Sequence, residues 1–268
     1  MVGKGAIGTL DTNIKLPTMG DYFENFTFGI SYKHLTQNTN ASPQTPAADV
    51  PLFPSTPTTY VPLTFDYSGT VVGKNFLTDL DLQVVLNIRG IGSNSTQFDR
   101  NRFDSQRDFI YLRGDVSQTQ DLPLDLQLFA KVAGQVSDSP LINSEQFSVG
   151  GLDTVRGYLE SAVLGDDAVV GNLEFRSPSL LWWMKEPEPT KGADDWRFYL
   201  FTDAASVSIQ DALPGQAVRY SLASYGGGTR ITLFNHFNGS LDVAVPLFSQ
   251  ANTKAHNPFL TFRIWTDF

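Results

Sequence analysis

Residues 147–158 read FSVGGLDTVRGY. Three glycines and one arginine stand among apolar residues, in a segment too irregular for a strand and too rich in glycine for a helix. Glycine loses more backbone freedom on folding than any other residue, so a stretch this dense in it marks a chain that must turn sharply or lie close against another surface. An arginine held there needs a partner of opposite charge, and the surrounding sequence has to supply one.

That surrounding sequence is β. Helical periodicity is nearly absent, whereas alternation of apolar and polar residues recurs through most of the chain. Leu80, Leu82, Val84, Leu86 and Ile88 are interleaved with Asp81, Gln83, Val85, Asn87 and Arg89. Leu124, Leu126, Leu128, Ala130 and Val132 alternate with Asp125, Gln127, Phe129, Lys131 and Ala133. Leu260, Phe262, Ile264, Thr266 and Phe268 share one face of the last segment, with Thr261, Arg263, Trp265 and Asp267 on the other. Each such segment is a strand with one apolar and one polar side.

About eleven segments follow this rule, at roughly 5–16, 24–34, 58–70, 77–90, 108–119, 122–136, 167–177, 195–208, 219–234, 238–249 and 258–268. Many exceed the ~5 to 6 residues usual for globular strands and reach the ~9 to 11 that a tilted strand needs to cross a bilayer. The connections after the first, third, fifth and ninth segments are mostly short, and those after the second, fourth, sixth and eighth are long or polar. The seventh connection, SPSLLWWMKEPEPTKGADD, is long where a short one is expected. Short turns alternating with long loops suit an antiparallel transmembrane β-barrel. A soluble β-sandwich used as a binding module alternates in the same way, with one face on a core. Strand length favours the barrel, and so does the terminal Phe268, which on that reading is the C-terminal signal for barrel assembly.

Composition narrows the function classes. The 268 residues are 41% hydrophobic, as in a folded protein, and their formal charge of −9 leaves no basic stripe for nucleic acid. There is no cysteine, hence no disulfide, thiol catalysis or thiolate metal site. No run of 18 or more apolar residues occurs, so no transmembrane helix is expected. The start, MVGKGAIGTLDTN, lacks the apolar core of a signal peptide. Taken alone that feature points to the cytoplasm, and the strand pattern argues the other way.

The wider stretch SEQFSVGGLDTVRGYLESAVLGDDAVVGNLEFRSP resembles the sixth extracellular loop and following strand of the Omp85 superfamily. It is most similar to the transporter half of two-partner secretion systems, of the haemolysin-activator type that includes ShlB, FhaC and HecB. Val155, Arg156, Gly157 and Tyr158 match the VRGY signature of the superfamily, while the preceding SEQFSVGG and the following GD are more particular to the secretion branch. YVPLTFDYSG, AGQVSDSPL, FTDAASV, GGGTR and LDVAVPLF stand in matching order, so the resemblance covers most of the chain.

The resemblance implies that the loop, residues 140–166, folds back into the barrel and that Arg156 pairs with an acid on the inner wall. Asp203 in FTDAA is the expected partner. Alternation agrees, because Arg197, Tyr199, Phe201 and Asp203 share the face opposite Trp196, Phe198, Leu200 and Thr202. Glu174, flanked by Asn172 and Arg176 on the same face of its strand, is the second candidate. Gly150, Gly151 and Gly157 would let the loop turn against the wall. Numbered by the resemblance, roughly five of about sixteen barrel strands would lie outside residues 1–268, as would a signal peptide, a plug helix and the periplasmic POTRA domains. The chain then reads as the C-terminal part of a barrel in the bacterial outer membrane.

No catalytic constellation is expected. His34, His236 and His256 are scattered and form no metal-binding spacing, no serine sits in GxSxG, and neither Gly226–Gly228 nor VGKG has the context of a phosphate loop. No enzyme activity, cofactor or metal is therefore anticipated. The implied partners are a secreted exoprotein client, outer-membrane lipid and the barrel-assembly machinery, within type V secretion. The implied function is a pore that exports a large unfolded exoprotein, driven by folding of the client outside. An Omp85 assembly factor that inserts other barrels remains an alternative, and so does the soluble binding module.

Overall fold

The computed structural model describes residues 2–38, 57–88, 90–181, 194–234, 236–250 and 252–267. The chain opens with β1 (Val2–Lys15), β2 (Tyr22–Asn38), β3 (Thr58–Tyr60), β4 (Pro62–Val72) and β5 (Phe76–Asn87). A short helix α1 (Ser95–Asn101) leads to β6 (Ile110–Asp121), β7 (Gln127–Ser137) and the two small strands β8 (Phe147–Val149) and β9 (Val163–Gly165). The series ends with β10 (Asp167–Arg176), β11 (Asp195–Ser208), β12 (Arg219–Leu233), β13 (Phe237–Pro246) and β14 (Phe259–Thr266).

All the long strands belong to one antiparallel sheet in the order β1-β2-β4-β5-β6-β7-β10-β11-β12-β13-β14, with β3 beside β2. Each long strand pairs antiparallel with the next long strand in the chain, whether a short turn or a long loop joins them. β8 and β9 pair only with each other and stand off this sheet, which lets β7 and β10 meet directly. β1 and β14 each pair on one side only, so the sheet is open at both ends among the described residues. Among the described residues the other sheet is the two-stranded β8–β9 ribbon, too small to form the second layer of a sandwich.

Polarity is inverted relative to a water-soluble protein. On β11 the side chains of Arg197, Tyr199, Phe201 and Asp203 are buried, while Phe198 and Leu200 are 49% and 68% exposed. The same outward apolar face continues through Leu112, Val132, Leu173, Phe175, Val243 and Phe262. A folded monomer in water does not expose a contiguous apolar band across most of a sheet. Lipid is the solvent such a face requires, and the residues that alternate with it line the inside.

Two segments differ from their sequence expectation for identifiable reasons. The segment expected at 58–70 divides at Val61 although β3 and β4 keep a common register along β2. Pro62 has no N–H for the ladder, and Val61 turns to β5 instead, donating to Asn87 Oδ1 at 3.0 Å and accepting from Ile88 N at 3.2 Å. The segment expected from 122 begins only at Gln127, because Pro123–Asp125 forms a 3₁₀ turn with Leu124 and Asp125 at φ 65° and 59°. Helix α1 was not anticipated. Its signal is local: the Asn94 side chain accepts from Gln97 N while the Gln97 side chain accepts from Asn94 N, a reciprocal cap.

The inverted face makes a quantitative demand. In the protein folded into lipid vesicles, Leu200→Arg near the middle of β11 should lower stability to denaturant by about 2–4 kcal/mol, and Ile110→Arg at the loop-side end of β6 by only about 0–1 kcal/mol. Equal costs at the two positions would show that the outer face does not contact a bilayer.

Candidate functional site

The loop between β7 and β10 lies against the inner face of the sheet. Its apolar residues Val149, Val155, Tyr158 and Val163 are buried against Val170 of β10, Ala205 and Val207 of β11, and Leu222 of β12. Gly157, at φ +88°, lies close against β13. A Cβ there would sit 3.0 Å from the Ala244 Cβ on β13, in a backbone conformation that side chains disfavour. Gly150 and Gly151 are also at positive φ, 111° and 103°, and form the turn that aims the loop back at the wall. Beside Gly157, the Tyr158 hydroxyl lies 2.9 Å from the Phe248 carbonyl and accepts the Phe248 N–H at 3.1 Å. The phenol thus fastens the loop to the end of β13 and its following turn.

Arg156 is 5% exposed and makes a fork with Asp203, Nε to Oδ2 at 2.8 Å and Nη2 to Oδ1 at 2.7 Å. Its own backbone N–H also donates to Asp203 Oδ2 at 3.1 Å. The remaining Nη1 donates to Glu174 Oε1 at 2.6 Å on the neighbouring strand. Below the guanidinium lies the Phe201 ring, 3.6 Å from Cζ to centroid, so the cation is held on a face as well as at its edges. Bidentate geometry is what a planar guanidinium offers and an ammonium does not.

The carboxylates are themselves satisfied. Asn172 Nδ2 bridges Asp203 Oδ1 at 2.8 Å and the Thr154 carbonyl at 2.6 Å, and Arg176 donates to Glu174 Oε2 at 2.9 and 2.7 Å. Two cations therefore face two buried acids. Asp242 stands next in line, 3.8 Å from Arg156 Nη1, and takes a 2.7 Å hydrogen bond from the Tyr199 hydroxyl. Burial opposes the charge on Arg156, but the hydrogen bonds and charges of Asp203 and Glu174 outweigh it and hold the pKa above the ordinary arginine value.

The structure brings Arg156, Asp203 and Glu174 into one cluster, with Val155, Gly157 and Tyr158 packing around it. Phe268 lies outside the described residues. Two further buried carboxylates were not assigned from sequence. Asp166, fully buried, accepts both Nη groups of Arg102 at 2.7 and 2.6 Å and the backbone N–H of Leu141 and Gln210, each at 2.8 Å. Arg102 follows α1, so this pair pins the loop closing β5 to the far end of the 140–166 loop. Glu145 accepts from Lys33 Nζ at 2.7 Å, from the Tyr111 hydroxyl at 2.9 Å, and from the Tyr60 hydroxyl. Both residues lie in SEQF and GD, stretches that stand out in sequence. Their partners on β2, β3, β6 and after α1 are too remote in sequence for spacing to reveal.

A protein-family model described as haemolysin secretion/activation protein ShlB/FhaC/HecB matches residues 53–231, a span containing the whole 140–166 loop and both carboxylates that hold Arg156. No curated protein matches the sequence. Among solved structures, CdiB from Escherichia coli is similar, with a TM-score of 0.73 and 16% identity over 98% of this chain and 45% of that one. CdiB from Acinetobacter baumannii follows with 0.67 and 16% over 98% of this chain and 42% of that one. BamA from Haemophilus ducreyi lacking POTRA domains 1-3 gives 0.62 and 15% over 99% of this chain and 54% of that one. This chain therefore spans about half the length of the solved structures it matches, and at these identities the likeness establishes the fold.

Removing Arg156 leaves Asp203 and Glu174 buried with one counter-charge between them. Arg156→Ala should cost about 3–5 kcal/mol, and Arg156→Lys should recover only part of it because one ammonium cannot replace the fork. Denaturant midpoints of the protein in vesicles, with protease nicking at the exposed Leu159 and Glu160, measure both effects. An unchanged midpoint and an unchanged nicking rate in Arg156→Ala would refute the clamp.

Proposed function

Because the chain belongs to the haemolysin secretion/activation protein family ShlB/FhaC/HecB, we propose that it is the C-terminal barrel part of a two-partner secretion transporter that exports one large unfolded exoprotein of the haemolysin or adhesin type. Its place is the bacterial outer membrane, as an Omp85-type β-barrel. The partner is a secreted client protein, and we assign no enzymatic step to the barrel.

The observation that carries this reading is the Arg156 clamp inside the sheet. An unfolded client presents backbone amides that need hydrogen-bonding partners, so its path has to be polar and wet. The buried face supplies that surface, and the outward apolar face supplies the contact with lipid. The 140–166 loop occupies the path. Passage of a client requires the loop to shift, and a clamp whose two states differ by ~1.4 kcal/mol changes the loop population about tenfold. The clamp is made of charges whose strength falls when water enters, so hydration by an arriving chain weakens the restraint.

In cells producing the intact transporter and its client, Arg156→Ala should reduce client secretion roughly tenfold or more while some barrel persists in the outer membrane. Secretion at the normal level by that variant would overturn the assignment. Deletion of the gene should affect that client and leave other outer-membrane proteins at their usual abundance. Depletion of many of them would point to an assembly factor instead.

A further inference from the structure

The polar inner wall continues to the turn side of the Arg156 cluster, and Arg156 and Glu174 themselves border a cavity there. That cavity, of about 550 Å³, is also lined by Arg176, Arg230, Arg263 and the aromatic residues Phe129 and Trp265. Strand register explains the arrangement. Arg230 on β12 is opposite Arg197 on β11 and Ser240 on β13, and Ser240 is in turn opposite Arg263 on β14. Cations from β11, β12 and β14 therefore stand at one level of the inner wall, in a chain whose net charge is −9.

Their partners differ. Arg197 is satisfied by Asp195, Asp125 and the Ser177 carbonyl, and Arg176 by Glu174. Lys131, also in the cavity lining, pairs with Asp115 at 3.3 Å. Arg230 has no hydrogen bond or ion pair among the described residues. Its Cζ rests 5.2 Å from the centroid of the Tyr199 ring. Arg263 rests 5.3 Å from the Trp265 ring and reaches Asp153 at 3.5 Å, but that aspartate is 84% exposed. The acids on the inner side of the cavity, Glu174 and Asp242, are engaged by Arg156, Arg176 and Tyr199. Of the arginines that line the cavity, Arg230 and Arg263 are those that no buried carboxylate holds by a hydrogen bond, although the charge of Arg230 acts on Glu174 and Asp242.

An arginine resting on an aromatic face keeps its N–H edge free, and that edge fits a carboxylate bidentately. Resting on the reading of the chain as a polypeptide pore, we propose that this turn-side wall is a docking track for acidic segments of the extended client, with Arg230 and Arg263 receiving Asp and Glu side chains. Charge of this kind raises the encounter rate of an acidic chain with the pore and holds it loosely, which suits a segment that has to move on. It also places the client's carboxylates beside the Arg156 cluster, where they compete with Glu174 and Asp203.

The test uses the protein purified from outer membranes in detergent, with fluorescent peptides of alternating Glu and Ser or of alternating Gln and Ser. The Glu peptide should bind, its affinity should fall with added salt, and it should weaken about tenfold or more in the Arg230→Gln, Arg263→Gln double variant. Lys254→Gln, in the loop at the opposite mouth, should bind as the unaltered protein does. Heat-dependent gel mobility confirms that each variant is folded. Equal binding of the two peptides, or unchanged binding by a folded double variant, would overturn the track. Peptide binding is read without secretion, so its loss alongside normal client export removes the track and leaves the pore. Normal export in Arg156→Ala with intact peptide binding does the reverse.

Discussion

A guanidinium taken out of water has to find fixed anions, and the site around Arg156 is organised by that requirement. The idealised penalty for burying an unpaired ion is of order 20 kcal/mol in a medium of low dielectric constant, far above the stability of a domain. Asp203 therefore meets the guanidinium with both oxygens, Glu174 takes the remaining donor, and Phe201 lies under the plane. The loop cannot deliver this side chain without Gly157 pressed against β13, and Tyr158 then closes the contact from the next position. Gly157 and Tyr158 thus serve the placing of the arginine, while Val155 packs into the apolar cluster beside it.

The loop is held at three places by four acids. Glu145 fixes its start to β2, β3 and β6, Asp203 with Glu174 fixes its tip to β11 and β10, and Asp166 fixes its end to Arg102 beside α1. Ionic restraints suit a part that has to hold and also move. A hydrocarbon contact weakens little when a wet polypeptide arrives, whereas an ion pair in a polar path loses strength as the local dielectric constant rises. The 140–166 loop is thus bound against the inner face by ion pairs whose strength falls as the local dielectric constant rises.

The same sheet solves two solvent problems at once. Its outer face carries Leu, Val and Phe at alternate positions toward lipid, and its inner face carries the charges that lipid would reject. Period-two alternation makes the division automatic, because a strand cannot place neighbours on the same side. Arg230 and Arg263 extend this logic to the turn side, where they rest on the Tyr199 and Trp265 rings.

Much of this was legible in the sequence for that reason. Alternation is a local property, so the strand segments, the inward face of Asp203 and the outward face of Leu200 follow from counting residues, and the glycines around Arg156 announce a turn. Breaks inside the segments were less legible: Pro62 and the Pro123–Asp125 turn interrupt patterns that hydrophobicity alone carries through. Helix α1 was hidden because a seven-residue helix is too short to display periodicity, although its cap was present in Asn94 and Gln97. The pairings of Asp166 with Arg102 and of Glu145 with Lys33, Tyr60 and Tyr111, and the placing of Arg230 on the Tyr199 ring with no hydrogen-bonded acid among the described residues, belong to the tertiary structure. Which charges meet depends on strand register and on where the loop lies across the sheet, and those join residues up to about a hundred positions apart.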